Sequence, residues 1–184
     1  MNRREMLALL AGTAALPALP DQLVAMGRAV HNRVRAGMLR ALTPHQNETV
    51  ATIAELIIPK TDTPGARDAG VPAFIDVMLA DWGDDNQRKA FTGGLANVDE
   101  RSRKAFGKDF IGCTPDQQTE ILQDLDYELA QARDAKADAS GNFFGMMKWL
   151  TLTGYYTSEV GATREQHYRV VPGRYEPCYP LEQP

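Results

Sequence analysis

The sequence predicts an all-α fold: a single helical domain of about five to six helices followed by a long irregular C-terminal arm. Three observations carry this expectation. Apolar residues recur at spacings of three and four along most of the chain up to Leu152, the period of one helix face. A helix-start signature occurs twice, as Thr43-Pro44-His45-Gln46 and as Thr114-Pro115-Asp116-Gln117. Each combines a capping threonine, a proline suited to the first helical position, and a glutamine placed to reach back to the cap. Beyond Gly154 the periodicity stops, and prolines stand at 172, 177, 180 and 184. A chain of 184 residues fits one domain, whose core buries about 70% of the unfolded surface.

Residues 1–20 read as a signal segment. Arg3 and Arg4 precede an apolar stretch that runs from Met6 through Pro17 to Pro20. It is too short and too interrupted to span a bilayer, and it is apolar on every face, unlike a surface helix. Asn2-Arg3-Arg4-Glu5-Met6-Leu7 resembles the twin-arginine export motif, an address read by the twin-arginine translocase. Thr13-Ala14-Ala15 offers small residues near a cleavage position but no clean Ala-x-Ala, so a cut and an uncut signal both stay open. Residues 21–42 form a basic helical linker, with Leu23, Met26, Val30, Val34, Met38 and Leu42 on one stripe. Arg28, Arg33, Arg35 and Arg40 fill its other faces.

The helical body spans residues 43–159. Val50, Ile53, Ala54 and Ile57 follow the first cap, and Pro59 ends that helix. Pro64-Gly65 has the residues a type II turn places at its centre. Pro72 opens the next helix, with Phe74, Ile75, Met78, Leu79 and Trp82 on a broad apolar face, until Asp81, Asp84 and Asp85 break the pattern. Phe91, Leu95, Val98 and Ser102 continue to Phe106; Gly93-Gly94 weakens this helix, since each glycine costs about 1 kcal/mol there. After Thr114 come Ile121, Leu122, Leu125, Leu129 and Ala130 on one face, then a polar break over Ala135–Gly141. Asn142–Leu152 is apolar nearly all round and is expected to be the central buried helix. Its Phe143, Phe144, Met146, Met147, Trp149 and Leu150 are expected in the core. The arm, residues 160–184, carries Tyr168, Tyr175 and Tyr179. That aromatic content suits a segment lying on its own body or on a partner.

The net charge of −4 hides a basic front and a body, 43–184, of net −8, which argues against nucleic acid as the main partner. No G-x-G-x-x-G, P-loop, C-x-x-C or H-E-x-x-H motif occurs. His31, His45 and His167 are scattered; His45, inside a capping turn, is expected on the solvated surface. His167 with Glu165 lacks a nearby nucleophile for acid–base work, and Asp124, Asp126 and Glu128 read as a solvated helix face. No catalytic, cofactor-binding or metal site is expected in this chain. An address for folded cargo, on a chain without a cofactor signature, suggests that a cofactor-loaded subunit travels with it. An exported chain meets an oxidising compartment. Cys113 and Cys178 then either pair, which loop entropy makes worth about 4 kcal/mol, or Cys178 bonds a partner and Cys113 stays buried. Both remain open.

Four segments carry a family resemblance: Ala54-Glu-Leu-Ile-Ile-Pro59, Thr61-Asp-Thr-Pro-Gly-Ala66, Gly154-Tyr-Tyr-Thr-Ser-Glu-Val-Gly161 and Tyr168-Arg-Val-Val-Pro-Gly-Arg-Tyr-Glu-Pro-Cys178. Together they resemble the gluconate 2-dehydrogenase subunit 3 family over about residues 43–184, with Pro177 where a glycine is common. The resemblance implies a periplasmic complex, held at the outer face of the inner membrane through its other subunits. A large subunit holds FAD and oxidises a sugar, sugar acid or glycoside; a cytochrome c subunit with haem c often takes the electrons. This chain is then a non-catalytic small subunit that provides the export signal and stabilises the large one. Tyr155, Tyr156, Arg174, Tyr175 and Cys178 are the candidates for arm docking or partner contact, with packing inside the chain as the rival role for Tyr155 and Tyr156. Two other readings stay open. The chain contributes residues such as His167 or Glu159 to a shared active site, or it is a free-standing periplasmic binding domain.

Overall fold

In the computed structural model the described residues are 39–134 and 141–166, and they run through five α-helices. These are α1 (Pro44–Ile57), α2 (Val71–Asp81), α3 (Asp85–Phe106), α4 (Pro115–Asp134) and α5 (Phe143–Tyr156). A 3₁₀ turn, Phe110–Gly112, joins α3 to α4, and a π-helical turn, Gly161–Glu165, follows α5. No strand occurs among the described residues, in keeping with the all-α expectation. The signal segment, the linker up to residue 38 and the arm from His167 onward lie outside the described residues.

Local chemistry sets the helix starts. Thr43 Oγ1 accepts from Gln46 N at 3.3 Å while Gln46 Oε1 accepts from Thr43 N at 2.9 Å. Thr114 and Gln117 repeat the pair at 3.4 and 3.0 Å. Both expected capping boxes therefore form, and each satisfies backbone N–H groups that a helix start would leave unpaired. A third was not foreseen. Asp84, expected only to break a pattern, caps α3 by accepting from Gln87 N at 2.7 Å, and Gln87 returns the bond to Asp84 N at 3.1 Å.

Helix α5 touches α1, α2, α3 and α4, so the expected central helix is central. Its Phe144, Met147, Leu150, Thr151 and Tyr155 are buried. The apolar ones share one core cluster with Val50 and Ile53 of α1, Ile75 of α2, Phe91, Leu95 and Val98 of α3, and Ile121 and Leu125 of α4. Each such apolar side chain contributes about 1.5–3 kcal/mol by leaving water. α3 runs unbroken through Gly93-Gly94, and the close approach of α5 accounts for Gly94. A Cβ on Gly94 would lie 2.0 Å from Phe143 Cγ, and Phe143 stacks edge-on to Phe91 at 5.3 Å between centroids.

Three core expectations fail. Trp82 is 77% exposed and Trp149 58% exposed, and Ala130 is exposed as well. Trp82 is the C-cap residue of α2, so it has left the helix whose apolar face it was assigned to. Trp149 lies about 200° around α5 from the buried Met147 at 3.6 residues per turn. A helix that is apolar all round offers no phase from which to read its inner face.

Residues 39–42, at the end of the expected helical linker, are not helical. The Asp76 carboxylate of α2, 3% exposed, holds them instead. It accepts from the backbone N–H of Arg40 at 2.8 Å, Ala41 at 3.0 Å and Leu42 at 2.9 Å. One buried acid on α2 thus fixes how the chain enters α1.

Candidate partner-binding surface

The connector after α1 is folded around a glutamate of that helix. Glu55 accepts from Lys60 N at 3.0 Å with one carboxylate oxygen and from Arg67 N at 2.9 Å with the other. Ala66 N closes the loop onto Ile58 O at 3.0 Å. Gly65 does not take the left-handed conformation of a type II turn: among the described residues the left-handed glycines are Gly70 and Gly107. A Cβ there would sit 2.2 Å from the Glu55 carboxylate and would push it off Lys60 N and Arg67 N.

The far end of α5 locks onto the same connector. Tyr155, 2% exposed, donates its hydroxyl to Pro64 O at 2.9 Å. Thr63 Oγ1 donates to Glu165 in the π-helical turn at 3.2 Å. Ser158 Oγ donates to Tyr155 O at 2.6 Å and accepts from Gly161 N at 3.1 Å. A Cβ on Gly161 would come within 2.1 Å of Tyr155 O. Three of the four motif segments, 54–59, 61–66 and 154–161, therefore meet in one corner of the molecule. The fourth, 168–178, lies outside the described residues.

Of the residues named from sequence, Tyr155 belongs to this corner and to the core, while Tyr156 is 40% exposed and packs edge-on against Tyr155. Cys113 is buried in the turn before α4, its thiol 3.5 Å from Asp109 O. Arg3, Arg4, His167, Arg174, Tyr175 and Cys178 lie outside the described residues. Glu159 is exposed. His45 is exposed, as expected, and its ring is also held: Nε2–H donates at 2.7 Å to Asp99, which is itself buried and accepts from Phe110 N at 3.0 Å. That bond ties α1 to α3 and to the 3₁₀ turn. Nearby, a hydrogen bond from Arg103 holds the Asp109 carboxyl below the usual carboxylate range. Asp126 and Glu128 are exposed, as expected, but pair across helices with Lys148 and Arg101, contacts that contribute little in water.

What sequence reasoning missed is that the second apolar side of α5, of which it named only Tyr156 as a contact candidate, is exposed. Trp149, Leu152 and Tyr156 stand at spacings of three and four, and all three are exposed. Beside Trp149 a shallow groove of about 200 Å³ opens between α2 and α5, lined by Met78, Leu79, Trp82, Met146, Trp149 and Leu150. A signal was available for one residue: Trp82 stands directly before Gly83-Asp84, past the point where a capped α3 lets α2 end.

The groove is smaller than the ~300–1,000 Å³ of small-molecule sites and mostly apolar along its lining. Among the described residues no three His, Cys, Asp or Glu side chains are gathered as a metal ion requires. No helix among them is long and apolar enough to cross a membrane.

No curated protein and no solved structure matches the chain significantly. A family model does: that of gluconate 2-dehydrogenase subunit 3 matches residues 44–173, from the first residue of α1 into the arm. The match covers more than two-thirds of the chain and includes the corner where three motif segments meet. The chain therefore belongs to the gluconate 2-dehydrogenase subunit 3 family.

Proposed function

We propose that this chain is the non-catalytic small subunit of a periplasmic, flavin-dependent dehydrogenase complex, and that it escorts its large partner through the twin-arginine translocase. The large subunit holds FAD and oxidises a sugar, sugar acid or glycoside, and a cytochrome c subunit with haem c passes the electrons on. The family match over residues 44–173 carries this reading, and the paired Arg3-Arg4 before an apolar stretch supports the export role. The groove's small volume and apolar lining suit a contact surface better than a cofactor site.

The Arg3→Lys/Arg4→Lys variant tests the escort role. Cells carrying it are expected to lose at least about tenfold of the periplasmic flavin-bearing subunit, by the receptor-read logic of the motif, with that subunit retained in the cytoplasm. Unchanged periplasmic dehydrogenase in fractionated cells would show that the partner is exported without this chain.

A further inference from the structure

We infer that the outer face of α5, together with the tryptophan-lined groove against α2, is the docking surface for a different subunit of the dehydrogenase complex. The inference rests on the small-subunit reading above and names the surface that reading requires.

Helix α5 carries two apolar faces. One, through Phe144, Met147, Leu150 and Tyr155, is buried in the body. The other, through Trp149, Leu152 and Tyr156, faces outward. A helix that is apolar all round is normally buried on every side, and the described residues cover one side of α5. Trp82 extends the outer face across the groove, which is lined by two large exposed indoles. Tryptophan and tyrosine with methionine are the residues enriched where partner proteins dock. Scattered apolar residues on a surface need no explanation, but a continuous patch does.

Charge selects the occupant. The rim at the α2–α3 corner carries the exposed carboxylates Asp81, Asp84 and Asp85, of which Asp81 and Asp85 pair with Arg40 and Arg88. The body from residue 43 onward has net charge −8. A second copy of this chain would bring two such acidic bodies together around an apolar centre, which opposes association. The fitting partner presents an apolar ridge with a neutral or basic rim, on another chain. Membership of a family defined as a dehydrogenase subunit supplies that other chain.

The test uses the full-length tagged chain expressed in its native host, with the co-purifying dehydrogenase subunit identified by its bound flavin. Trp82→Glu/Trp149→Glu is expected to cut the flavin recovered per chain at least tenfold. Trp82→Ala/Trp149→Ala should cut it severalfold. Tyr127→Glu, at a residue 66% exposed but outside the groove, should leave it unchanged. Thermal melting of each purified chain separates lost docking from lost folding; the melting temperatures should stay close to wild type, because Trp82 is 77% and Trp149 58% exposed. If the glutamate pair recovers wild-type flavin, the surface is wrong while the small-subunit reading stands. If wild type recovers no flavin-bearing subunit, both fall. A dimer of the purified chain that the same substitutions abolish would assign the surface to a second copy and overturn the proposal.

Discussion

Asp76→Ala is expected to destabilise the body by about 3–5 kcal/mol. The carboxylate is buried and accepts from three consecutive backbone N–H groups, those of residues 40–42. Each of the three donors, once stranded away from water, costs about 1–3 kcal/mol, or about 3–9 kcal/mol together. The lower part of the summed range applies because Arg40 is exposed and water can reach its N–H after the change, whereas Leu42 is buried. Urea unfolding checks it: the midpoint should fall with little change in slope, since the surface exposed on unfolding is nearly the same. Asp76→Asn should recover part of the loss, because its single carbonyl oxygen can still accept from this segment. A loss under about 1 kcal/mol for alanine would mean that the segment before α1 does not depend on this acid.

The second large effect distinguishes two neighbouring glycines. Gly94→Val is expected to lower stability by about 2 kcal/mol, within the usual cost of overpacking. Its Cβ would fall 2.0 Å from the root of the Phe143 ring, and moving that ring breaks its edge-on contact with Phe91. Gly93→Ala is expected to raise stability by about 1 kcal/mol, the ordinary gain of alanine over glycine inside a helix. A Cβ at Gly93 meets nothing within 4 Å. The same urea experiment on both variants reads the contrast directly. Equal effects at the two positions would mean that α5 does not approach α3 as closely as its packing shows.

Much of the fold was legible because its signals are local. Thr43 and Gln46, and Thr114 and Gln117, sit three residues apart and cap the helices they were expected to cap. The stripes of α1, α3 and α4 bury most of the residues their periodicity names; Ile57 and Phe106 are half-buried and Ala130 is exposed. The unreadable parts depend on distant partners. Asp76 lies 34–36 residues from the backbone it binds, and Asp99 lies 54 residues from His45. In sequence each is one more polar residue on a helix. Gly65 suggested a turn conformation, and the neighbour a Cβ there would meet, the Glu55 carboxylate, stands ten residues earlier on another element.

The candidate surface was hidden for a different reason. Hydrophobicity does not say which apolar side chains are covered by the same chain and which by another. Trp149 and Met147 look alike in the run from Asn142 to Leu152, yet one faces water and the other is fully buried. The expectation that this helix is central was sound, and the expectation that its whole surface lies inside one chain was not. The family segments, by contrast, were visible before any contact was known. Their common purpose emerges only in three dimensions, where Glu55, Pro64 and Tyr155 join.

The central claim is that this chain works as one subunit of a larger dehydrogenase. Size-exclusion chromatography with light scattering on the tagged chain from its native host tests it most directly, with flavin absorbance and dye-linked sugar oxidation followed across the peak. The account predicts that the chain elutes with a larger flavin-bearing polypeptide in fixed stoichiometry, and that oxidation of a sugar, sugar acid or glycoside follows the same peak. A chain that elutes alone as a monomer of 20.3 kDa or less, with flavin and activity elsewhere, would contradict it.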